Sequence, residues 1–231
     1  MTRHGSPARV TAPRTKTRKA AARRRAAAAP PEKDGRERIL AVAIRSFSEQ
    51  GYEGTTTAGI AREVGVTQPL VHHHFGSKEA LWRAAMDELF GDVLTVTAGV
   101  GATPEEQLLD GAERFVRFVS AHPEVTRVIA REGAAPSPRL TYLVDRYLRP
   151  AFGAVVAAVR AAQRDGVIAQ EFRPELILML MLGAGSHPFD VTALVRESLG
   201  LDATSPRTRD EVAALLRAML SRGLFRAPEA R

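Results

Sequence analysis

Two short stretches separated by three residues constrain this chain most. Thr57 to Val64 and about Gln68 to Phe75 each carry a helical pattern, with only Gly65, Val66 and Thr67 between them. Ile60, Ala61 and Val64 fall on one face of the first stretch, Val71 and Phe75 on one face of the second, and Val66 is placed to plug the core between them. Small Ala61 lets the second helix cross closely, and Gly65 supplies the unusual backbone angle that a sharp exit needs. Thr56 is a good N-cap for the first helix and Thr67 for the second, where Pro69 is tolerated because it sits in the first turn. The spacing predicts two short helices packed across a tight turn, the helix-turn-helix arrangement.

The flanking residues agree. Leu40, Ala43, Ile44 and Phe47 form one apolar stripe that ends at Gly51, predicting a helix over about 36–50. After Phe75, Leu81, Trp82, Ala85, Met86, Leu89 and Phe90 give a further helix an apolar face wide enough to be buried on two sides. Phe47 with Gly51 and Tyr52, Thr55-Thr56, Ile60-Ala61, Gly65-Val66-Thr67 and His74-Phe75-x-Ser77-Lys78-Glu79-x-Leu81 stand together between Glu37 and about Phe90. That stretch resembles the TetR family of transcriptional repressors. The resemblance implies a three-helix DNA-binding head, a fourth helix from near Ser77 into an all-helical effector domain, and a homodimer on palindromic DNA. His72 stands where the family usually has tyrosine, Pro69 where glycine is common, and Gly59 at a usually polar position. These departures bear on the target sequence and on the strength of the second helix.

A recognition helix as short as Gln68 to Phe75 must enter the major groove by its N-terminal residues. With Val71 and Phe75 assigned to the core, Thr67, Gln68, Pro69, Leu70, His72 and His73 are left for DNA. Gln68 can pair bidentately with adenine, Leu70 can meet a thymine methyl, and His72 or His73 can donate to phosphate or to a guanine acceptor. Tyr52, Thr56, Thr57 and Lys78 lie near helix starts, where hydroxyls and backbone N–H groups suit phosphate oxygens. Each of these residues also has a plain reading, as a cap or a solvated surface side chain. His72, His73 and His74 invite a metal, but consecutive helical residues sit about 100° apart and cannot converge on one ion. His74 is expected instead as a half-buried helix-end residue. No metal, cofactor or catalytic set is expected, so the chain is not read as an enzyme.

Residues 104–231 read as helices over about 104–121, 123–132, 138–164, 174–186, 188–199 and 207–222. Proline lies at or near the starts and glycine near several ends, the usual asymmetry. Residues 91–103 read as the fraying end of the fourth helix and a loop, and the segment 138–164 is expected to bend at Pro150. The expected fold class is all-α, with a three-helix head (residues 36–90 with the linking helix) joined to an all-helical effector-binding and dimerisation domain (residues 91–231). Leu176 to Leu182 make 174–186 apolar nearly all round, and Val212, Leu215, Leu216, Met219 and Leu220 stripe 207–222. The resemblance implies that these two helices pair with a second copy, the alternative being an ordinary core within one chain. Phe115, Phe118, His122, Arg131, Tyr142, Tyr147, Phe152 and Met179 are candidates to line a small-molecule pocket, although aromatic residues at helical spacing often serve only as core.

Charge is unevenly distributed. Residues 1–36 carry 11 Lys/Arg and 2 acids, residues 37–90 carry 5 and 7, and the remainder carries 17 of each. The whole excess of +7 therefore belongs to the first segment, and a nucleic-acid argument from the high pI alone fails. Residues 1–35 are expected to be a disordered basic tail: a DNA tether, a merely solvated extension, or residues ahead of the start used in the cell. With four alanines after Arg25 and then two prolines, no secretion signal is expected. The absence of cysteine excludes thiol nucleophiles, disulfides and thiolate metal sites. The longest apolar run is far short of the roughly 18 residues of a membrane span, so the expectation is a cytoplasmic protein with no membrane partner. The expected function is sequence-specific binding to a pseudo-palindromic operator in double-stranded DNA, as a repressor released by a small, mainly apolar effector. The alternatives are a nonspecific architectural DNA-binding protein using its basic tail and, behind it, a helical enzyme.

Overall fold

The computed structural model describes residues 32–225, so the expected basic tail lies almost wholly outside the described residues. The chain divides into two compact units, residues 1–38 and 39–231, and both cores of buried side chains lie in the second. Among the described residues every regular element is helical, with one isolated antiparallel bridge between Ile168 and Phe225. The all-α expectation holds.

The first four helices are α1 (Glu32–Gly54), α2 (Thr57–Val64), α3 (Gln68–Phe75) and α4 (Lys78–Phe90). α1 begins inside the stretch read as tail, and its regular helix breaks at Gly51, where φ is +73° and ψ 176°. One further turn, Tyr52 to Gly54, follows that break, so the glycine marks a kink and not the end. Thr55 pins the turn from inside, its buried hydroxyl donating to the carbonyls of Ser46 and Gly51 at 3.0 and 2.8 Å.

α2 and α3 are each only eight residues long, too short to be helical alone in water. Packing and caps hold them. Thr56 accepts from Gly59 N–H at 3.0 Å. At the other end Gly65 is left-handed, with φ +78°, and the amides of Val66 and Gly65 reach back to the carbonyls of Ala61 and Arg62. That pair of bonds is a Schellman ending, which closes α2 and aims the chain into α3. Ile60, Ala61, Val64, Val71 and Phe75 are buried as expected, with Val66 half-buried against them. Thr67 occupies the N-cap position of α3, but its side chain makes no capping bond. That departs from the expected cap.

α4 starts after Ser77, which caps Ala80 N–H at 3.0 Å. Leu81, Trp82, Ala85, Met86 and Phe90 are all essentially inaccessible. They belong to one core with Ile39, Phe47 and Val71 and also with Val93, Val125, Val128, Leu143 and Leu148. α4 is thus buried on two sides, as its wide apolar face required.

Where the fraying end of the fourth helix was expected, Val93–Thr97 form a separate short helix, α5, and a loop follows it. Next come α6 (Pro104–Ala121), opened by a capping box between Thr103 and Glu106, and α7 (Pro123–Glu132). α8 (Pro138–Leu143) and α9 (Arg149–Arg164) are separated by a π-helical turn, Val144–Leu148. The bend expected at Pro150 has moved upstream of it. Proline cannot donate to the carbonyl four residues back and crowds it; the wider turn relieves this, with Arg149 N–H bonding the Val144 carbonyl.

α10 (Pro174–Asp190) runs through Pro188, which had been read as the start of the next helix. The chain then breaks by 72° into α11 (Thr192–Leu199). α12 (Pro206–Met219) ends in a second π turn, Leu220–Leu224. A second core joins α6, α9, α10 and α12 through Leu108, Val116, Val159, Ile177, Leu216 and their neighbours. α10 itself is not enclosed: Leu176, Met179 and Leu180 are largely exposed, and so are Leu215 and Met219 of α12. Among the described residues no single helix is long and apolar enough to cross a membrane.

Candidate nucleic-acid interface and apolar cavity

The outward side of α3 is polar at its start and free of the core. Thr67, Gln68, Pro69, Leu70, His72 and His73 are all exposed, Leu70 by 37%. Gln68 donates its side-chain amide to the Thr57 hydroxyl at 3.2 Å, tying the first turns of α2 and α3 together. His72 Nδ1 donates to the Gly76 carbonyl at 3.1 Å, which leaves Nε2 as an acceptor 3.5 Å from the Gln68 amide nitrogen. These bonds run from Thr57 through Gln68 and His72 to Gly76, so the two side chains expected to read bases are held before any base arrives. The Gln68 side-chain carbonyl keeps its acceptor capacity. His74 is half-buried with its ring edge toward Phe75, as expected of a helix-end residue.

The residues expected at phosphates separate into two kinds. Thr56 and Thr57 stand at the start of α2, Thr56 exposed and already capping, Thr57 half-buried and accepting from Gln68. Tyr52 is half-buried, stacked on Phe47 at 6.1 Å and edge-on to Trp82 at 6.4 Å. Lys78 Nζ and the Arg139 guanidinium each lie 4.3 Å from the centre of its ring. Burial, with the charge of Glu79 adding to it, pushes the Tyr52 hydroxyl up. Tyr52 therefore works as a platform that places Lys78 at the start of α4.

The pocket candidates divide in the same way. Phe115, Phe118, Phe152 and Met179 line a cavity of about 280 Å³ between α5, α6, α7, α9 and α10, with Ile129 and Leu148. A neighbouring hollow of about 150 Å³ shares Thr97, Phe115 and Leu182 with it. The main cavity's polar lining residues are Thr97, Thr126, Ser186 and Asp190. None of these was anticipated. They look in sequence like ordinary helix-surface residues, and only the crossing of α7 and α10 brings Thr126 to donate to Asp190.

His122, Arg131, Tyr142 and Tyr147 lie outside that cavity. His122 ends α6 with its ring 5.0 Å from Phe118. Arg131 extends to α1, donating to the Glu49 carbonyl at 2.9 Å with its side chain against Gly51; a Cβ there would come within 2.9 Å of Arg131 Cδ. The two tyrosines point at α4 instead. Tyr142 donates to Asp87 at 2.5 Å, Tyr147 donates to the same oxygen, and Arg146 pairs with it at 3.1 Å. Burial raises the Asp87 carboxyl, but the two phenols and the arginine outweigh it and leave the group below the ordinary carboxylate value. Burial and the Asp87 bond push the Tyr147 hydroxyl well up. Arg139 adds a second tie, bridging Glu132 at 3.2 Å and Glu53 at 3.7 Å. Neither Asp87 nor Arg139 carried a sequence signal, since a single charge on a helix is usually a solvated one.

Residues 39–85 match the family described as bacterial regulatory proteins, tetR family, and residues 108–222 match the tetracyclin repressor-like C-terminal domain. The HTH-type transcriptional regulator BetI of Brucella anthropi is 37% identical over 76 residues, 32% of this chain and 39% of that protein. The A-factor receptor protein of Streptomyces griseus is 33% identical over 93 residues, 40% of this chain and 32% of that one. The chain thus matches only about two fifths of the length of these curated relatives or less. Among solved structures, the ketosteroid transcriptional regulator KstR2 of Mycobacterium tuberculosis superposes with a TM-score of 0.62 at 21% identity, over 83% of this chain and 95% of that one. SCO4942 of Streptomyces coelicolor gives 0.60 at 21% identity over 84% and 99%. Two domain matches in the family's own order, laid over the capped α2–α3 pair and the helical remainder, settle the family: the chain belongs to the TetR family of bacterial regulatory proteins.

Proposed function

We propose that this chain is a sequence-specific DNA-binding repressor whose operator affinity falls when a small, mainly apolar molecule fills the cavity at Phe115, Phe118 and Phe152. One observation carries the DNA half: a Schellman-closed α2 presents the first turn of α3 with Gln68, Leu70, His72 and His73 exposed and two of them already oriented. Residues 36–90 form the DNA-binding part, and residues 91–231 the effector-binding and dimerisation part. One short recognition helix reads too few base pairs for specificity, so the operator is a pseudo-palindrome read by two copies. The bare apolar faces of α10 and α12, Leu176, Leu180, Leu215 and Met219, suit that pairing.

The effector half rests on a preformed, mostly apolar cavity just under the roughly 300–1,000 Å³ typical of small-molecule sites. Its walls lead to the head by two routes. α7 carries Ile129 in the cavity and Arg131 on Glu49, and the π turn carries Leu148 in the cavity and Tyr147 on Asp87. A footprint of the purified chain across the intergenic DNA flanking its own gene tests the reading. Protection of an inverted repeat, relieved by hydrophobic compounds that also raise the melting temperature, is the expected result. Uniform protection without sequence preference would favour an architectural DNA-binding protein instead.

A further inference from the structure

The polar groups of the cavity narrow its ligand further, given the proposal that it is the effector site. Thr97 bonds back to the Val93 carbonyl of its own helix at 2.8 Å and is occupied. Ser186 is neutral. Asp190 is the one charged residue lining the cavity. Its hydrogen-bond partner is the Thr126 hydroxyl, and among the described residues no lysine, arginine or histidine forms an ion pair with it. Arg131 belongs to the same helix as Thr126 but is committed to Glu49. Arg127 and His187 stand on the open side of Asp190, where a shallow polar depression adjoins the cavity. Asp190 is also the last residue of α10, where the helix carbonyls add negative potential. The Thr126 hydroxyl has a second acceptor ready, the Pro123 carbonyl at 3.1 Å, so it can release the carboxylate without being stranded.

An apolar hollow with one exposed carboxylate at its rim, which no cationic side chain pairs with among the described residues, favours one chemical class. We infer that the ligand is a lipophilic amine, its hydrocarbon or aromatic body among Phe115, Phe118, Phe152 and Leu182 and its protonated nitrogen on Asp190. The body gains from leaving water. An ammonium–carboxylate ion pair, with both partners charged, replaces a bond from Thr126 in which only the carboxylate is charged. An alcohol of the same length only exchanges its hydroxyl for that of Thr126 and brings no counter-charge, and an acid meets like charge.

Calorimetric titration of the full chain at neutral pH with decylamine, decan-1-ol and decanoate, each below its micelle threshold, tests the inference. Decylamine is expected to bind severalfold tighter than decan-1-ol, the scale of one solvent-accessible ion pair, and decanoate weakest. Asp190→Asn, which keeps an acceptor for Thr126, should abolish the amine preference while decan-1-ol stays within about twofold. Asp190→Ser carries the same expectation should the first variant fail to fold, and Thr126→Val should retain the preference. Equal binding of the three probes, or an amine preference that survives loss of Asp190, overturns the ligand class and leaves the cavity reading standing. No binding of any probe overturns the cavity reading and this inference with it.

Discussion

Gln68 at the start of α3 and Lys78 at the start of α4 are both proposed to meet DNA, yet their loss should have different consequences. Gln68→Ala removes the proposed base reader and the strut to Thr57, so preference at one position per half-site should relax, at a cost of about 1–3 kcal/mol. Lys78→Ala should weaken every sequence alike and lower the salt slope by about one, the signature of a lost phosphate contact. Competition binding against a panel of operator variants at two salt concentrations separates the two. Thr56→Ala deletes the α2 cap and should lower stability by about 1 kcal/mol in urea, with the same operator preference in the folded fraction. At Asp87 the sign of the pH effect follows from a lowered carboxyl. Its contribution is fully present above the ordinary carboxylate range and lost as pH falls through the folded-state value. The stability gap between the wild type and Asp87→Asn should therefore close in acid. The carboxylate is 43% exposed, so the gap at neutral pH should stay within about 1 kcal/mol.

At the scale of elements, α4 shares one core with α1 to α3 and with the helices α7 and α8 and the π turn beside the cavity. Trp82 sits on α4 at 1% exposure, and truncating a buried tryptophan costs about 3–5 kcal/mol. Trp82→Ala would then report on folding as much as on signalling, and Asp87 and Tyr147 are cleaner probes. Tyr147→Phe removes one bond to α4 without touching a cavity wall, since Leu148 and not Tyr147 lines the hollow. Ligand affinity measured without DNA should change little, while the concentration of ligand that releases operator should shift severalfold, on the 1–3 kcal/mol scale of allosteric coupling. Equal shifts in both would mean that the π turn does not couple them. The π turn is also where reading the sequence stopped short. Periodicity located α2, α3, α4 and α6 almost to the residue because caps and glycines bound them. Pro150 signalled a break but not its place, since the strain of a proline is relieved in the turn before it. Pro188 misled for a related reason: a proline can be carried near the end of a helix where few amides remain to be bonded.

At the scale of the whole molecule, the open question is what covers α10 and α12. Leu180 is 74% exposed, and Leu180→Glu should give a folded monomer with unchanged helicity and greatly weakened operator binding, checked by sedimentation and circular dichroism. Deleting residues 1–31, which lie outside the described residues, should weaken DNA binding most at low salt while leaving the selected sequence unchanged. The cavity was half legible in sequence. Phe115, Phe118, Phe152 and Met179 were found because large apolar side chains mark themselves, whereas Thr126 and Asp190 meet only through a crossing of helices 64 residues apart. The head was legible almost throughout, because its glycines, caps and small residues leave the α2–α3 turn few other ways to fold. The central claim is that two copies of this head read one operator, and selection of bound sequences from a random DNA pool by the purified full chain tests it most directly. An inverted repeat whose two half-sites both lose definition when Gln68→Ala is selected in parallel is the predicted result; a single asymmetric motif, or no enrichment at all, would contradict it.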